Sequence, residues 1–527
     1  MNLLSDPWIP VRADGGMGEF RLLTFEELLC ADGAWWVSIP RDDLEMACIQ
    51  FLVCMVQVML MPHEEDKREA DKSLLDRIKK PLFSKSFNEG VAKFRDNDWF
   101  NLDHKKHPFM QARGVQATKI TPIQKLLTGL PEGHNHAFFN EVGEVQHISG
   151  PIAAIALFNQ ASNAQCLGGG FKGNLRGGTN PYLAPITTII IGKNLRDTIW
   201  RNVVTIPRLR DLFGRSLKPS RDKPTWVEPI AESQNETEIG MIRGLFWQPA
   251  RLELILSDGE APCDLLGGKM CSGYSGFKME QATFKFDGLW PHPHGVRLRV
   301  KDKDKFMSFS FAIPAWTYLS EFLLPNPWSE DTPEGSVPAA AVSQAAELWP
   351  DQRTQLMVGG YSTRLSSVIE RRHEMFSLAD GWTKDRSLIK ELVTVGKDAR
   401  STIRSALLTA AKGHEDKKRN LKIKGIGALH KKDTKLMGLP EIGERMFYSR
   451  TETLFHEAIG ATRTFKERQS AKTAFCREIS NIVSDIYEMI TAPYAMKPEF
   501  IPIIAWSRRN MNNDLRKLEG GGSKHEQ

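Results

Sequence analysis

The sequence predicts an α+β (mixed α/β) N-terminal domain followed by an all-α four-helix bundle. A chain of 527 residues is longer than one core usually supports, so at least two domains are expected. Residues 1–375 alternate strand-like runs with helical segments, turns and many prolines and glycines, whereas apolar residues after 376 recur at helical spacing. We therefore divide the chain into a domain of residues 1–375 and a domain of residues 376–527.

Strand-like sequence is concentrated in the first of these domains. PITTIIIG (185–192) and RLELILSDG (251–259) predict strands, and RVKDKDKFMSFSFAI (299–313) predicts a hairpin. These runs do not establish the order of strands in a sheet.

The longest apolar run, ACIQFLVCMVQVMLM (47–61), predicts a buried helix. It is interrupted by glutamines and is shorter than the roughly 20 residues that cross a bilayer. Asp42 and Glu45 have the spacing of a capping box at its start. The N-terminal residues show no cationic region leading into an apolar stretch, so neither a signal peptide nor a membrane partner is expected.

Two apolar stripes and two further helical segments predict the four-helix bundle. The further segments lie at about 440–460 and 498–518, and each helix has one apolar stripe to bury. The tail GGGSKHEQ (520–527) is expected to be disordered. The two stripes are Leu388, Leu392, Val395, Ala399, Ile403, Ala406 and Ala410, and Phe475, Ile479, Ile482, Val483, Ile486 and Ile490.

Positive charge is concentrated in one segment of the chain. The net charge is +6, yet residues 400–435 hold eleven lysines and arginines against three acidic residues, so the remainder is close to neutral. The run 412–435 falls between the first and second helices of the predicted bundle and should form a long exposed connection. A concentrated basic segment indicates a polyanionic partner, with a solvated loop as the alternative.

The segment CLGGGFKGNLRGGTN (166–180) contains six glycines. It contains neither the GxxxxGK[ST] of a phosphate-binding loop nor GxGxxG after a clear strand. Glycine allows another backbone or a groove to approach closely, so the segment indicates a close contact or, equally, a sharply turning loop.

Two His-x-His pairs, His134 with His136 and His292 with His294, are the candidates for metal chemistry. Neither pair has an acidic residue or cysteine at supporting spacing, and the sequence has no GxSxG motif. We therefore expect no metal, no cofactor and no enzyme activity, with a metal-dependent nuclease or hydrolase as the alternative. Seven cysteines without a Cys-x-x-Cys pair are typical of reduced thiols in a cytoplasmic protein.

Ten short strings, read together, resemble one family: CasA, the large subunit of the type I-E CRISPR surveillance complex called Cascade. They stand in family order from residue 1 to about residue 497, so the resemblance covers nearly the whole chain. It implies the same architecture of a mixed domain followed by a four-helix bundle. The strings are MNLLSDPWIPVR, SIPRDDLEMA, HPFMQ, AFFN, AIALFNQ, LGGGFKGNLRGGT, RGLFWQPA, GLWPHPH, GGYSTRLSSVIERRH and APYAMKP.

The resemblance implies residues that read and open DNA. Gly168, Gly169 and Gly170 match a family loop laid against the minor groove of the PAM, the short motif beside the target, where Cβ atoms would clash. Arg364 and Leu365 stand where relatives have an asparagine and a glutamine on a hairpin wedge. Leucine is a known intercalating residue, so we expect the wedge to be kept with altered chemistry.

The resemblance also implies a further PAM contact and a guide-RNA contact. Gln281 stands where relatives have a PAM-reading lysine, and Lys278 lies three residues earlier, so either residue is expected to take that part. Phe138 and Asn140 match residues that contact the 5′ end of the guide RNA, and an aromatic ring stacked on a splayed base is a common mode of RNA recognition.

Some relatives carry paired cysteines suggestive of zinc. Here Cys263 and Cys271 remain, while Ser149 and Ile152 stand at the other two positions, so no metal is expected.

Sequence-independent phosphate contacts are expected from the cations of the glycine-rich segment and of the basic connection, with affinity that falls steeply with salt. These cations are Lys172, Arg176, Lys417, Lys418, Arg419, Lys422 and Lys424.

Together these features predict a non-catalytic DNA-recognition subunit. Its implied partners are guide RNA, target double-stranded DNA with its displaced strand, the backbone and small subunits of the complex, and a separate helicase–nuclease that does the cutting. The alternatives are the metal-dependent hydrolase already named and a purely structural scaffold that holds the 5′ end of the guide.

Overall fold

The computed structural model describes residues 1–130, 143–166, 175, 183–214, 222–231, 233–280, 284–300, 303–328, 333–364, 367–416, 421–427, 438–461 and 465–519. Two compact units divide the chain. Unit 1 is Met1–Phe311, Glu321–Trp349 and Gln355–Met375, and unit 2 is Ala312–Ser320, Pro350–Thr354 and Phe376–Gln527. The predicted mixture of helix and sheet is confirmed, whereas the domain boundary at residue 375 and the bundle description remain predictions.

Helices surround several small sheets in the N-terminal part of the chain. Its helices are α1 (Phe25–Cys30), α2 (Asp42–Met59), α3 (Lys67–Lys79), α4 (Ser84–Asp96), α5 (Gly150–Ser162), α6 (Leu195–Asn202), α7 (Ile206–Phe213), α8 (Met241–Leu245), α9 (Leu319–Leu323) and α10 (Ala340–Leu348).

The strands form short, mostly antiparallel pairings. They are β1 (Ile9–Arg12), β2 (Phe20–Leu23), β3 (Trp36–Val37), β4 (Thr121–Pro122), β5 (Ile148–Ser149), β6 (Thr187–Ile191), β7 (Ser233–Asn235), β8 (Arg251–Leu256), β9 (Ala261–Cys263), β10 (Gly267–Cys271), β11 (Gly273–Glu280), β12 (Lys285–Asp287), β13 (Arg297–Val300), β14 (Lys303–Phe306), β15 (Gly335–Val337), β16 (Thr354–Arg364) and β17 (Ser367–Leu378). One sheet is centred on β11, which pairs with β4, β5 and β8, and another has the order β17-β16-β6.

Helix α2 lies at the centre of the unit 1 core. The ring of Phe51 stacks on Phe158 at 4.9 Å and on Phe109 at 5.3 Å, and it meets Trp8 at 5.1 Å. Close aromatic packing of this kind adds to the free energy gained by burial. The buried helix predicted for residues 47–61 is therefore confirmed.

The predicted capping box at the start of α2 is wrong. Arg41 is the N-cap residue, Asp42 is already helical, and Glu45 accepts a hydrogen bond from the Ile39 amide at 3.1 Å. Asp42 instead faces cations outside the helix, as described below.

The strand predictions are confirmed in place and type. PITTIIIG contains β6 and RLELILSDG begins with β8. The predicted hairpin at 299–313 is formed by β13 and β14, paired from Arg297 with Phe306 to Val300 with Lys303. It therefore begins two residues earlier than the run suggests and ends seven residues earlier.

Four long helices lie among the described residues of unit 2. They are α11 (Arg386–Lys412), α12 (Leu439–Gly460), α13 (Phe465–Ala495) and α14 (Ile501–Glu519), and α11 packs against each of the others. Trp316 stacks on Phe455 of α12 at 4.0 Å. Gly396 of α11 lets this ring approach, because a Cβ there would lie 2.8 Å from it. Among the described helices of the chain, none is long and apolar enough to cross a membrane.

The start of the basic connection, predicted as a long exposed connection, forms a short hairpin. Strands β18 (Gly413–Asp416) and β19 (Leu421–Lys424) pair antiparallel directly after α11. Gly413 has φ +90° and a Cβ there would lie 2.4 Å from the Ile423 carbonyl oxygen, so only glycine makes this reversal easily. The His414 ring stacks on Trp506 of α14 at 4.7 Å.

Candidate nucleic-acid interface

The glycine-rich segment follows α5 and precedes β6. Residues 167–174 and 176–182 lie outside the described residues, and with them Gly168, Gly169, Gly170, Lys172 and Arg176. The structure therefore shows the two attachments of the segment, which are the residues of α5 that precede it and the residues of β6 that follow it.

Hydrogen bonds tie the two attachments together. Thr187 at the start of β6 donates from Oγ1 to Asn163 Oδ1 at 3.0 Å, and Asn163 Nδ2 donates to Asn159 of α5 at 3.2 Å. All three residues are buried, so these bonds are shielded from water. The ends of the glycine-rich segment are consequently held close to each other.

The hairpin of β16 and β17 carries the predicted wedge position. Arg364 is the last residue of β16 and is exposed, whereas Leu365 lies outside the described residues. Strand β6 pairs with β16 from Gln355 opposite Ile191 to Gly359 opposite Thr187. The strand that follows the glycine-rich segment thus pairs with the strand that leads to the predicted wedge position.

The GGY sequence of β16 allows its close packing. A Cβ at Gly359 would lie 2.3 Å from Met46 Sδ, and one at Gly360 would lie 3.2 Å from the Pro185 carbonyl oxygen. The next residue, Tyr361, is 1% exposed. The two glycines let the hairpin sit tightly against α2 and against the segment that enters β6.

A buried polar network anchors the hairpin. Tyr361 donates from its hydroxyl to Asp43 Oδ2 at 2.8 Å and accepts from Asn159 Nδ2 at 2.8 Å. Arg41 donates to both Asp43 oxygens, at 2.7 and 3.0 Å, and to the Thr128 carbonyl at 2.8 Å. A buried charge pair of this kind is tolerated because its remaining hydrogen-bonding positions are also filled. Burial, followed by the nearby charge of Asp43, raises the pKa of Tyr361 well above its usual value, so the hydroxyl remains a donor.

A second, half-exposed cluster lies beside this network. Arg371 Nε lies 2.7 Å from Asp42 Oδ1, and His373 Nδ1 lies 3.2 Å from Asp42 Oδ2. Burial acts to raise the pKa of Asp42, but the hydrogen bond and charge of His373 and the charge of Arg371 lower it to about 2. The N-terminus of α2 therefore binds β17 by charge as well as by packing.

These network residues were missed as a site by sequence reasoning. Their strings, PRDD, FNQ and GGY, were noticed only as family resemblance. The contact between Tyr361 and Asp43 joins positions 318 residues apart, which no local pattern encodes.

The other predicted PAM contact lies on β11. Lys278 is half-buried and stands opposite Glu253 of β8, whereas Gln281 lies outside the described residues. Glu280 accepts hydrogen bonds from Arg251 and, at 2.9 Å, from the Gln116 amide. Charges of both signs therefore surround Lys278.

Phe138 and Asn140, the predicted guide-RNA contacts, lie outside the described residues, as do Lys417, Lys418 and Arg419. Lys422 and Lys424 lie on β19 and are exposed. Lys424 Nζ is 3.6 Å from Glu499 and 5.7 Å from the centre of the Phe500 ring.

The structure describes one of the two His-x-His pairs that the alternative metal site would use. His134 and His136 lie outside the described residues, while His292 and His294 are 4% and 1% exposed. Their ligand atoms lie within 4.8 Å of each other and of Cys54 Sγ. Because His292 Nδ1 accepts from the His294 amide at 3.1 Å, neutral His292 holds its proton on Nε2, which is then no metal ligand.

A hydrolytic centre must also meet its substrate, and rings this deeply buried do not. The arrangement of His292 and His294 therefore gives the nuclease alternative no support.

The four positions at which some relatives carry paired cysteines are Ser149, Ile152, Cys263 and Cys271 here, so these four residues cannot supply four thiolate ligands to a zinc ion. Cys263 accepts a hydrogen bond from the Ser149 amide at 3.4 Å, and Cys271 Sγ lies 4.0 Å from His147 Nε2. Ile152 is fully buried in α5.

Solved structures share this fold across the whole chain. Cse1 of Thermobifida fusca matches with a TM-score of 0.71 at 15% identity and covers 99% of each chain. CasA (Cse1) of Thermus thermophilus matches at 0.67 with 16% identity, covering 98% of this chain and 99% of that one. A chain of a CRISPR RNA-guided surveillance complex matches at 0.66 with 14% identity, covering 97% and 99%. At such identities the likeness establishes the fold alone.

Sequence comparison then gives the family. The family described as CRISPR-associated protein Cse1 matches residues 2–486. CRISPR-associated protein CasA/Cse1 of Thermus thermophilus is 25% identical over 269 residues, which is 49% of this chain and 49% of the relative, so the match spans about half the length of that protein. The chain belongs to the Cse1 family, also called CasA, and the resemblance seen in the ten strings is confirmed.

Proposed function

We propose that this chain is the non-catalytic large subunit of a cytoplasmic RNA-guided CRISPR surveillance complex of type I-E. It recognises the PAM of target double-stranded DNA with Gly168, Gly169 and Gly170. It then begins strand separation with Arg364 and Leu365. A glycine loop suits the minor groove, which is narrow and offers a degenerate pattern of donors and acceptors.

One observation carries the proposal: the attachments of the glycine-rich segment and of the wedge hairpin share one buried frame. Strand β6 pairs with β16, and Asn159 binds both Tyr361 and the Asn163 that holds Thr187. Because the glycine-rich segment and the wedge hairpin are fixed to the same buried residues, they would contact the duplex at a constant distance from each other.

The proposal extends to partners and to the division of the chain. Phe138 and Asn140 contact the guide RNA, and Lys278 or Gln281 adds a PAM contact. The part after residue 375 forms a four-helix bundle whose basic connection holds the displaced strand. The chain also meets the backbone and small subunits and offers a platform for a helicase–nuclease, which makes the cut.

Replacing Gly169 by Asp tests the proposal. The new carboxylate would enter the minor groove beside the phosphates, so target binding by the guide-loaded complex should fall at least tenfold. Gly15→Asp is the matched control, because Gly15 is exposed, has φ +68° and has open space around its Cβ position, and aspartate tolerates that backbone region. Binding is measured by titration of a matched duplex.

Unchanged target binding by the Gly169→Asp complex would favour the alternative of a structural scaffold. Equal losses in both variants would point to a general charge effect and would contradict the assigned role of the glycine loop.

A further inference from the structure

A cavity of about 360 Å³ in unit 1 lies away from the glycine-rich segment in sequence. Its walls come from residues 106–113, 225–230 and 248–251, with Phe284. The volume falls in the range of small-molecule sites, which is about 300–1,000 Å³. It is therefore large enough for a ligand of several rings but too small for a folded partner.

The rim of this cavity is cationic. Lys106, Arg113 and Arg251 line it, and none of its described lining residues carries a carboxylate. Arg113 lies 3.5 Å from Glu253, and Arg251 pairs with Glu280, so both guanidinium groups are partly neutralised. Lys106 is exposed, and no carboxylate of the described residues lies within 4.0 Å of its ammonium group. The net positive charge at the rim therefore comes from Lys106.

The side chain of Gln248 is a buried part of the wall. Gln248 is 5% exposed, and its Oε1 accepts a hydrogen bond from the Ala250 amide at 3.1 Å. This bond fixes which side of the amide is oxygen, and Nε2 is shielded from solvent, so the cavity meets the other atoms of this side chain.

Two aromatic side chains complete the wall. Trp226 and Phe284 line the cavity and are 7% and 8% exposed. The Trp226 indole N–H donates to the Trp99 carbonyl at 3.0 Å, so the cavity meets only the apolar part of its ring. Flat apolar surface of this kind suits a nucleobase.

We propose that this cavity binds one nucleotide, with its phosphate at Lys106 and its base against Trp226 and Phe284. The nucleotide is either free or part of a single-stranded RNA or DNA. This site goes beyond PAM reading and does not depend on the glycine-rich segment.

Calorimetric titration of the purified full chain tests the site. The probes are the four nucleoside 5′-monophosphates, the matching nucleosides, inorganic phosphate, and 5′-phosphorylated trinucleotides of RNA and of DNA. The monophosphates should bind about tenfold more tightly than the nucleosides, since a charged hydrogen bond contributes about 1.5 kcal/mol or more. The trinucleotide that binds most tightly, or the monophosphate if neither trinucleotide exceeds it, identifies the source of the ligand.

Two exposed neighbours supply a matched pair of variants. Lys106→Glu should weaken monophosphate binding about tenfold, because it reverses the charge that faces the phosphate. Lys105→Glu makes the same change at an exposed residue that does not line the cavity, and should leave binding unchanged.

Three results would overturn the site: no saturable binding of any nucleotide probe, inorganic phosphate binding as tightly as the monophosphates, or equal losses in the Lys105 and Lys106 variants. The titration contains no guide and no PAM, so its failure would leave PAM reading untouched.

Discussion

At the scale of single residues, Tyr361 joins the hairpin to both α2 and α5. Its hydroxyl is the only atom in the described network that bonds Asp43 of one helix and Asn159 of the other. Tyr361 is 1% exposed and Asp43 is 2% exposed, so neither partner has water as a substitute. The position of the β16–β17 hairpin therefore depends in part on this hydroxyl.

Tyr361→Phe should lower the free energy of unfolding by about 1–3 kcal/mol, because it leaves the buried Asn159 amide without its acceptor and removes one of the two donors to Asp43 Oδ2. Tyr494→Phe is the control, since Tyr494 is half-exposed and its hydroxyl makes no hydrogen bond with the described residues. Urea titration measures both. A loss for Tyr361→Phe no larger than that for Tyr494→Phe would show that the hydroxyl does not hold the network.

Asp42→Asn tests the outer cluster through its pH dependence. The folded-state pKa of Asp42, about 2, lies below its usual 3.8, so its stabilisation is complete above about pH 5 and disappears as the pH falls toward 2. The Asp42 side chain is 46% exposed, so water screens the pair and the difference at pH 7 should stay below about 1 kcal/mol. Unfolding of both proteins is measured between pH 2 and pH 7.

The wild type should be the more stable protein at pH 7, and the two curves should converge below pH 4. A difference that grows as the pH falls from 5 toward 2, where Asp42 becomes protonated, would contradict the assigned ion pairs. Asp258→Asn, a change on an exposed turn, serves as the control for general charge effects.

At the scale of elements, the β18–β19 hairpin makes the start of the basic connection an ordered structure. Its stacking contact between His414 and Trp506 fixes it to α14, and Lys422 and Lys424 project from β19. Lysines on an ordered strand keep a constant spacing, which suits successive phosphates along a strand of nucleic acid.

The double variant Lys422→Gln, Lys424→Gln should reduce the salt dependence of DNA binding. Each lost phosphate contact lowers the slope of log affinity against log salt by about 0.9 for duplex DNA and about 0.7 for single strands. Lys390→Gln on α11 is the control, an exposed lysine outside the basic connection. An unchanged slope in the double variant would show that Lys422 and Lys424 do not contact DNA phosphates.

The elements show how far sequence reasoning reaches. Helices α2 and α11–α14 and strands β6 and β8 were predictable because each is a long periodic or apolar run with clear ends. The β18–β19 hairpin was not, since its residues are charged and its stability comes from the contact with Trp506, 92 residues from His414. The capping box failed because Asp42 has better partners in Arg371 and His373, far along the chain.

At the scale of the whole molecule, charge is distributed unevenly. The chain as a whole has a net charge of +6, and residues 400–435 supply all of the excess. A local field of this kind attracts nucleic acid without fixing its sequence, so discrimination has to come from another part of the chain. The glycine-rich segment is the part to which we assign it.

The candidate site could be predicted from sequence only where the family strings mark it. The glycines at 168–170 and the hairpin at 359–373 were recognisable from their sequence strings. The buried hydrogen-bond network that joins the residues next to them was not. That network depends on Asn159, Asn163 and Thr187 meeting Tyr361 and Asp43, and these contacts arise from topology rather than from local spacing. The cavity beside Lys106 had no sequence signal, because its walls come from four separate segments.

The most direct test of PAM reading is a selection of binding duplexes by the guide-loaded complex, with and without this chain. The library has a constant matched target and a randomised flank, and bound sequences are counted. Our account predicts a flank preference that appears only when the chain is present and that is lost in the Gly169→Asp complex. Equal enrichment with and without the chain would contradict it and would assign PAM reading to another subunit.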